Sequence, residues 1–263
     1  MASDEWRKAD RDLTLWPDSP DDLMRLQRRL AELAGDAGVW RPPARPLLVA
    51  AAFCAFPTNR PGPGAAGDPA CAAAVLWREG GPCAGCAGGR SGGPPQAPGE
   101  VISRAVVLGE AGAAYEAGLL ALRAGPMLAA ALSSLEGEPD VLLLDATGRD
   151  HPRRAGLALH AGAALARASV GVTNRSLAAE AQTPGESEGS VAPILLDGER
   201  VGWALRSRAG VNPVFVHAGW RTDPDTALEV VRRLLGRWRT PEPLRLARRD
   251  ARVARAEAEG RLL

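Results

Sequence analysis

Along SPDDLMRLQRRLAELAG (19–35), leucines recur at 23, 26, 30 and 33 with charged residues between them, the spacing of one buried helix face. Ser19 and Pro20 supply an N-cap and a first-turn proline. The period then changes. PLLVAAAFCAF (46–56), CAAAVLW (71–77), GEVISRAVVLG (99–109), VLLLD (141–145), SVGVT (169–173) and NPVFVHAG (212–219) read as strands. APILLDGERVGWALRSR (192–208) predicts a hairpin turning at Asp197-Gly198. Helices are expected over 117–137, 151–168 and 223–238, the last with Asp223 as cap and Pro224 at its first position. Three early strands followed by alternating helices and strands predict an α/β fold, a mixed β-sheet flanked by helices on both faces, in a single domain over 1–263. GGPCAGCAGGRSGGPPQAPG (80–99) reads as a flexible insertion, and 248–263 as a charged tail, a frayed helix or a disordered end.

Charge narrows the classes. Lys+Arg total 32 and Asp+Glu 31, a net +1, so attraction to nucleic acid must come from local patches. The N-terminal MASDEWRKADRDL lacks a secretory pattern, and the apolar run at 47–56 is too short to span a bilayer. The four cysteines give no disulfide framework, and the CAGC of Cys83 and Cys86 lacks a second ligand pair for zinc. A cytoplasmic monomer without membrane association is expected.

The stretch VLLLDATGRDHPRRAGLALHAG (141–162) carries the first chemistry. An apolar run ending on Asp145 delivers one carboxylate to a sheet edge, and a lone carboxylate is a poor catalyst of most reactions. The stretch 141–177 resembles the endonuclease V family, whose pattern is an apolar strand, Asp-Gly-His-Gly, two residues, then His-Pro-Arg-Arg and a Gly. It stands here as Asp145 through Arg154, with Gly156 following. LWPDSPDDLMRLQRRLA (15–31) is similar to the family's N-terminal helix, and AYEAGLLALRAGP (114–126) to PYIPGxLxFREGP. SVGVTNRSL (169–177) stands where the family has TIGVAKKRL, HAGWR (217–221) where it has Gly-His-Arg, and TPEPLRLA (240–247) fits its C-terminal end.

The resemblance implies a ribonuclease H-like fold, deoxyinosine-containing nucleic acid as substrate in DNA repair, and hydrolysis of a phosphodiester with Mg²⁺. That ion takes hard oxygen ligands, so carboxylates must converge on it. The family supplies an Asp from its first strand, the Glu of FREGP and the Asp matching Asp145, assisted by a Lys and the His of Gly-His-Arg. At these positions this sequence has Phe53 (Ala52 if the register shifts by one), Ala124, Asn174 and Trp220. The expectation is an impaired catalyst that has lost Mg²⁺ binding.

Other positions are retained. The resemblance places Tyr115 on the family's wedge tyrosine and Gly118, Leu120, Ala146, His151 and Leu177 in its base pocket, where the same residues also serve packing. Arg153 and Arg154 either hold phosphate or satisfy nearby carbonyls, and Arg221 remains from Gly-His-Arg. Asp150, Glu110 and Glu116 are the nearest substitute acids, although Asp150 is expected to cap the helix beside His151 and Glu116 to repel phosphate. Three readings stay open: a degenerate endonuclease V with weak DNA or RNA binding, an active nuclease with a metal site rebuilt from other acids, and a protein-binding module with an apolar groove of Phe53, Ala124 and Trp220.

Overall fold

The computed structural model describes residues 15–58, 61–81 and 98–260. The insertion expected at 80–99, with Cys83 and Cys86, lies almost wholly outside the described residues. Nine strands form one sheet: β1 (Leu48–Ala55), β2 (Pro69–Arg78), β3 (Glu100–Glu110), β4 (Val141–Leu144), β5 (Ala168–Thr173), β6 (Glu180–Ala181), β7 (Val191–Leu196), β8 (Glu199–Leu205) and β9 (Val214–Ala218). Their order is β3-β2-β1-β4-β5-β9-β8-β7-β6. β4 runs parallel to β1 and to β5, and the flanking pairs are antiparallel. The centre of the sheet is thus a parallel trio.

The central strands are apolar on both faces because both faces are covered. In β1, Ala50 and Ala52 pack under α2 (Leu120–Ser133) and α3 (Leu157–Ala164), while Val49 and Ala51 point to the opposite layer. That layer holds α4 (Pro224–Leu234) and α5 (Glu242–Ala258). The first helix, α1 (Pro20–Asp36), lies outside α3, its Leu26 and Leu30 meeting Leu159 and Trp220. Its Ser19 cap accepts from the Asp22 N–H at 3.2 Å. The β7–β8 hairpin turns at Asp197 and Gly198, both at positive φ (52° and 79°), as a two-residue turn requires.

Two expected elements differ. The helix expected over 151–168 begins only at Leu157. Ahead of it, the His151 Nδ1 takes the Arg153 N–H at 3.1 Å and Arg154 sits at φ 55°, a left-handed residue that blocks helix propagation. The charged tail expected from 248 as a frayed helix or a disordered end is helical to Ala258, as the second half of a packed α5. Leu244, Leu246, Ala247, Ala251 and Ala254 are buried against the sheet. Alanines make the stripe, so hydropathy understates it. Among the described residues, no helix is long and apolar enough to cross a membrane.

Candidate functional site

The carboxyl ends of parallel strands carry the sites of open α/β sheets. Here a cleft of about 440 Å³ opens beyond β4 and β5. Tyr115, Gly118 and Leu120 form one wall, Asp145, Ala146 and His151 the floor, and Asn174 through Leu177 the other wall. The structure therefore brings together Asp145, Asn174 and every residue assigned by resemblance to the base pocket. Gln27, Glu116, Ala121, Thr147, Leu157 and Thr173 complete the lining.

The first wall hangs on one carbonyl. Gly118, at φ 85°, turns its C=O to accept from Gln27 Nε2 at 3.1 Å, His151 Nε2 at 3.0 Å and Arg153 Nη2 at 2.8 Å. Arg153 also donates from Nε to Gln27 Oε1 at 2.6 Å. These bonds place the His151 proton on Nε2, with Nδ1 accepting. Burial holds its pKa down at about 4, against the opposing pull of the Gly118 bond, so the ring is neutral at pH 7. Tyr115, three residues from this clamp, stays 45% exposed.

The second wall hangs on Asp150. This carboxylate is fully buried and caps no helix, contrary to expectation; α3 has Gly156 at its N-cap. It accepts from the Leu177, Ala178 and Ala179 N–H groups at 2.9, 2.8 and 2.8 Å and from Ser176 Oγ at 2.8 Å. Burial opposes its ionisation, but the nearby His217 and the three amides outweigh that and hold its pKa below the usual carboxylate range. His217, 3.6 Å away through Nδ1, is itself held at about 4 by burial, with Asp150 pulling the other way. Its Nε2 meets Thr173 Oγ1 at 2.8 Å.

Asp145 is not free. Arg248 of α5 donates to it from Nε at 2.8 Å and, from Nη1, to Thr240 Oγ1 at 3.1 Å. The Asp145 and Arg248 side chains are 21% and 12% exposed, so this pair is largely shielded from water. Phe53 lies on the Asp145 side of the sheet with Ala55, Ala73 and Ala251, under the guanidinium of Arg252 at 5.6 Å. Ala124 is buried on the α2 side and Trp220 between α1 and α3. Among the described residues, Phe53, Ala124 and Trp220 fall in separate clusters and none of them lines the cleft, so the apolar groove expected from the three is not formed there.

Arg154 and Arg221 lie outside the cleft lining. Arg154 pairs with Asp197 and Glu199 and reaches the Leu196 carbonyl, fixing the β7–β8 hairpin. Arg221 lies in the turn after β9, where its carbonyl accepts from Trp40, outside the cleft lining. Arg239 binds the Asn174 side chain at 2.8 Å, together with the Asn212 and Pro213 carbonyls. Arg175 and Arg28 are exposed and make no ion pair among the described residues; Arg175 lines the cleft. The sequence signal for Arg248 and Gln27 was weak. Each sits on a helix face crowded with arginines or leucines, and nothing in the pattern distinguishes it.

Mg²⁺ requires several oxygen ligands in octahedral geometry. Glu116 is the second acid of the cleft, but no group of three His, Cys, Asp or Glu side chains able to hold a metal occurs among the described residues. With a guanidinium already on Asp145, the donor set does not fit the ion.

A mixed sheet with a parallel core, helices on both faces and a cleft at the carboxyl edge defines a ribonuclease H-like protein. The endonuclease V family model matches residues 96–249, more than half of the chain. The chain belongs to the endonuclease V family. It is 44% identical over 161 residues to endonuclease V of Nocardia farcinica, a match covering 61% of this chain and 71% of that protein. Other relatives are matched over 58% of their length. The crystal structure of endonuclease V from Streptomyces avermitilis is similar at a TM-score of 0.73 and 31% identity, covering 93% of this chain and 96% of that one. A Ciona intestinalis endonuclease V, solved with a DNA containing an inosine followed by a ribo-adenosine, shares the fold at a TM-score of 0.64 and 17% identity, covering 90% and 99%.

Proposed function

We propose that this chain binds inosine-containing nucleic acid in the cleft at the carboxyl edge of its sheet and cleaves it poorly or not at all. The observation that carries the reading is the Asp145–Arg248 ion pair. A fixed cation on the one retained acid neutralises the charge that would attract Mg²⁺, and Phe53 and Ala124, at the positions where the family has its other two acids, supply no carboxylate. Groups that act as a unit in catalysis fail together when one is lost. Base recognition asks for less. The cleft holds its shape through the Gly118 clamp and the Asp150-bound loop, and neither depends on a metal. The inosine-bound relative supports the class of ligand, and its DNA–ribonucleotide strand leaves DNA and RNA both to be tried.

The test is a binding titration with inosine-containing and unmodified strands over a salt series, beside a cleavage assay with Mg²⁺ and Mn²⁺. Preferential binding of the inosine strand, unchanged by EDTA and without cleavage, is expected. Metal-dependent turnover comparable to that of an active relative would overturn the loss of catalysis. Equal affinity for both strands would overturn the base reading.

A further inference from the structure

Trp238 lies between α4 and α5 and is 44% exposed, more than any other tryptophan among the described residues. Two guanidinium groups stand by its ring, Arg237 at 5.0 Å and Arg245 at 5.4 Å from the centroid. Arg245 is paired with Glu242, whereas Arg237 is exposed and makes no ion pair among the described residues. Arg208 donates to the Arg237 carbonyl and adds a third positive charge. The next residue, Arg239, is bonded to Asn174 on the cleft wall. An indole could bury itself with the other aromatics of this chain; this one stays at the surface among arginines, one residue from a side chain anchored at the cleft.

We propose that Trp238, with Arg237 and Arg208, forms a shelf for the single-stranded nucleic acid that flanks a base held in the cleft. The inference rests on the nucleic-acid reading above and names the form of the ligand. Exposed aromatics stack on bases of any sequence, and nearby arginines meet the phosphates between them. The charge selects nucleic acid over an apolar protein segment: Arg237 and Arg245 stand at the ring, Arg208 is bonded to the Arg237 backbone, and of these three only Arg245 is paired with an acid, Glu242, among the described residues. The shelf also accounts for how a chain of net charge +1 attracts a polyanion, by concentrating cations where the strand leaves the cleft.

Fluorescence anisotropy with two labelled single strands tests this, a pentanucleotide centred on deoxyinosine and a 15-mer with the same centre. Trp238→Ala should weaken the 15-mer roughly ten- to a hundredfold and leave the pentanucleotide within about twofold, as expected for one lost stacking platform. Trp238→Phe should recover most of the loss, and its melting temperature confirms that the variant folds. Arg237→Gln should reduce the slope of log affinity against log salt by about 0.7 on the 15-mer. If Trp238→Ala binds both strands as the unaltered protein does, the shelf is overturned and the cleft reading stands. Equal losses on both strands would place Trp238 in the cleft's own architecture and also overturn the shelf. Failure of the unaltered protein to bind either strand sinks the cleft reading and the shelf together.

Discussion

A guanidinium bonded to an aspartate at a strand end supplies a positive charge without exchangeable ligands. Arg248 neutralises Asp145 as a divalent ion would in part, yet it brings no water to activate and no open coordination position. The pair should therefore act on stability. In a double-mutant cycle, Asp145→Ala and Arg248→Ala are each expected to cost about 1–3 kcal/mol, with a coupling near 1 kcal/mol, read from urea melts. Additive losses would mean that the bond contributes nothing. On the proposed reading, a metal site at Asp145 requires removing the arginine as well as adding acids. Phe53→Asp and Ala124→Glu combined with Arg248→Met should show Mn²⁺-dependent thermal stabilisation, and the same acids with Arg248 kept should show none. At Asp150, exchange to Asn replaces an acceptor of four bonds with a group that carries its own N–H donors. A loss of about 2–4 kcal/mol and faster hydrogen exchange at residues 177–179 are expected; unchanged exchange there would show that the loop is held by other contacts.

Elements differ in how plainly the sequence announces them. The α1 leucines, the Asp223 cap and the Asp197-Gly198 turn are local signals, and each stands where its pattern placed it. The turn over 151–156 was hidden because its cause is tertiary: the His151 ring is drawn to Gly118, 33 residues earlier, and its other nitrogen captures the Arg153 amide. The burial of α5 was hidden by composition. Its buried stripe ends in Ala247, Ala251 and Ala254 among five arginines from 245 to 255, and charge dominates the reading. The cleft residues were legible through family motifs, whereas Arg248 was not, since its partner lies 103 residues away. Burial separates two substitutions in this helix. Ala251→Glu, fully buried beside Phe53, Ala55 and Ala73, is expected to cost several kcal/mol or abolish folding. Arg249→Gln, 53% exposed, should stay within about 0.5 kcal/mol by thermal melting. Similar melting points for the two would argue against the packing of α5 on the sheet.

For the molecule as a whole, the three histidines set the response to acid. His151, His160 and His217 are each held at about 4, first by burial, while in an unfolded chain each titrates near 6.5. Between those values the unfolded chain binds protons that the folded chain refuses, so stability falls as pH falls from about 6.5 to 4 and then levels off for these groups. The loss is on the order of 2–3 kcal/mol for each ring by pH 4. Asp150 has its pKa lowered, so its contribution is present above the unfolded carboxylate value and is lost only in stronger acid. Melting temperatures should begin to drop just below pH 6.5, before carboxylates titrate; a flat profile down to pH 5 would refute this.

The long span between Asp145 and Arg248 also has a temporal side. The ribosome makes the central strand and its acid first, and about a hundred further residues must emerge before the guanidinium arrives. The same delay applies to the alanine face of α5 that covers β1 and β2. Until residues 242–258 have left the exit tunnel, one side of the oldest part of the sheet is bare and its carboxylate unanswered. Chains stalled before that point should be cut by protease within β1 and β2, and chains carried beyond it by a C-terminal linker long enough to clear the tunnel should resist. Completion of this sheet thus waits on residues made about a hundred positions after its central acid.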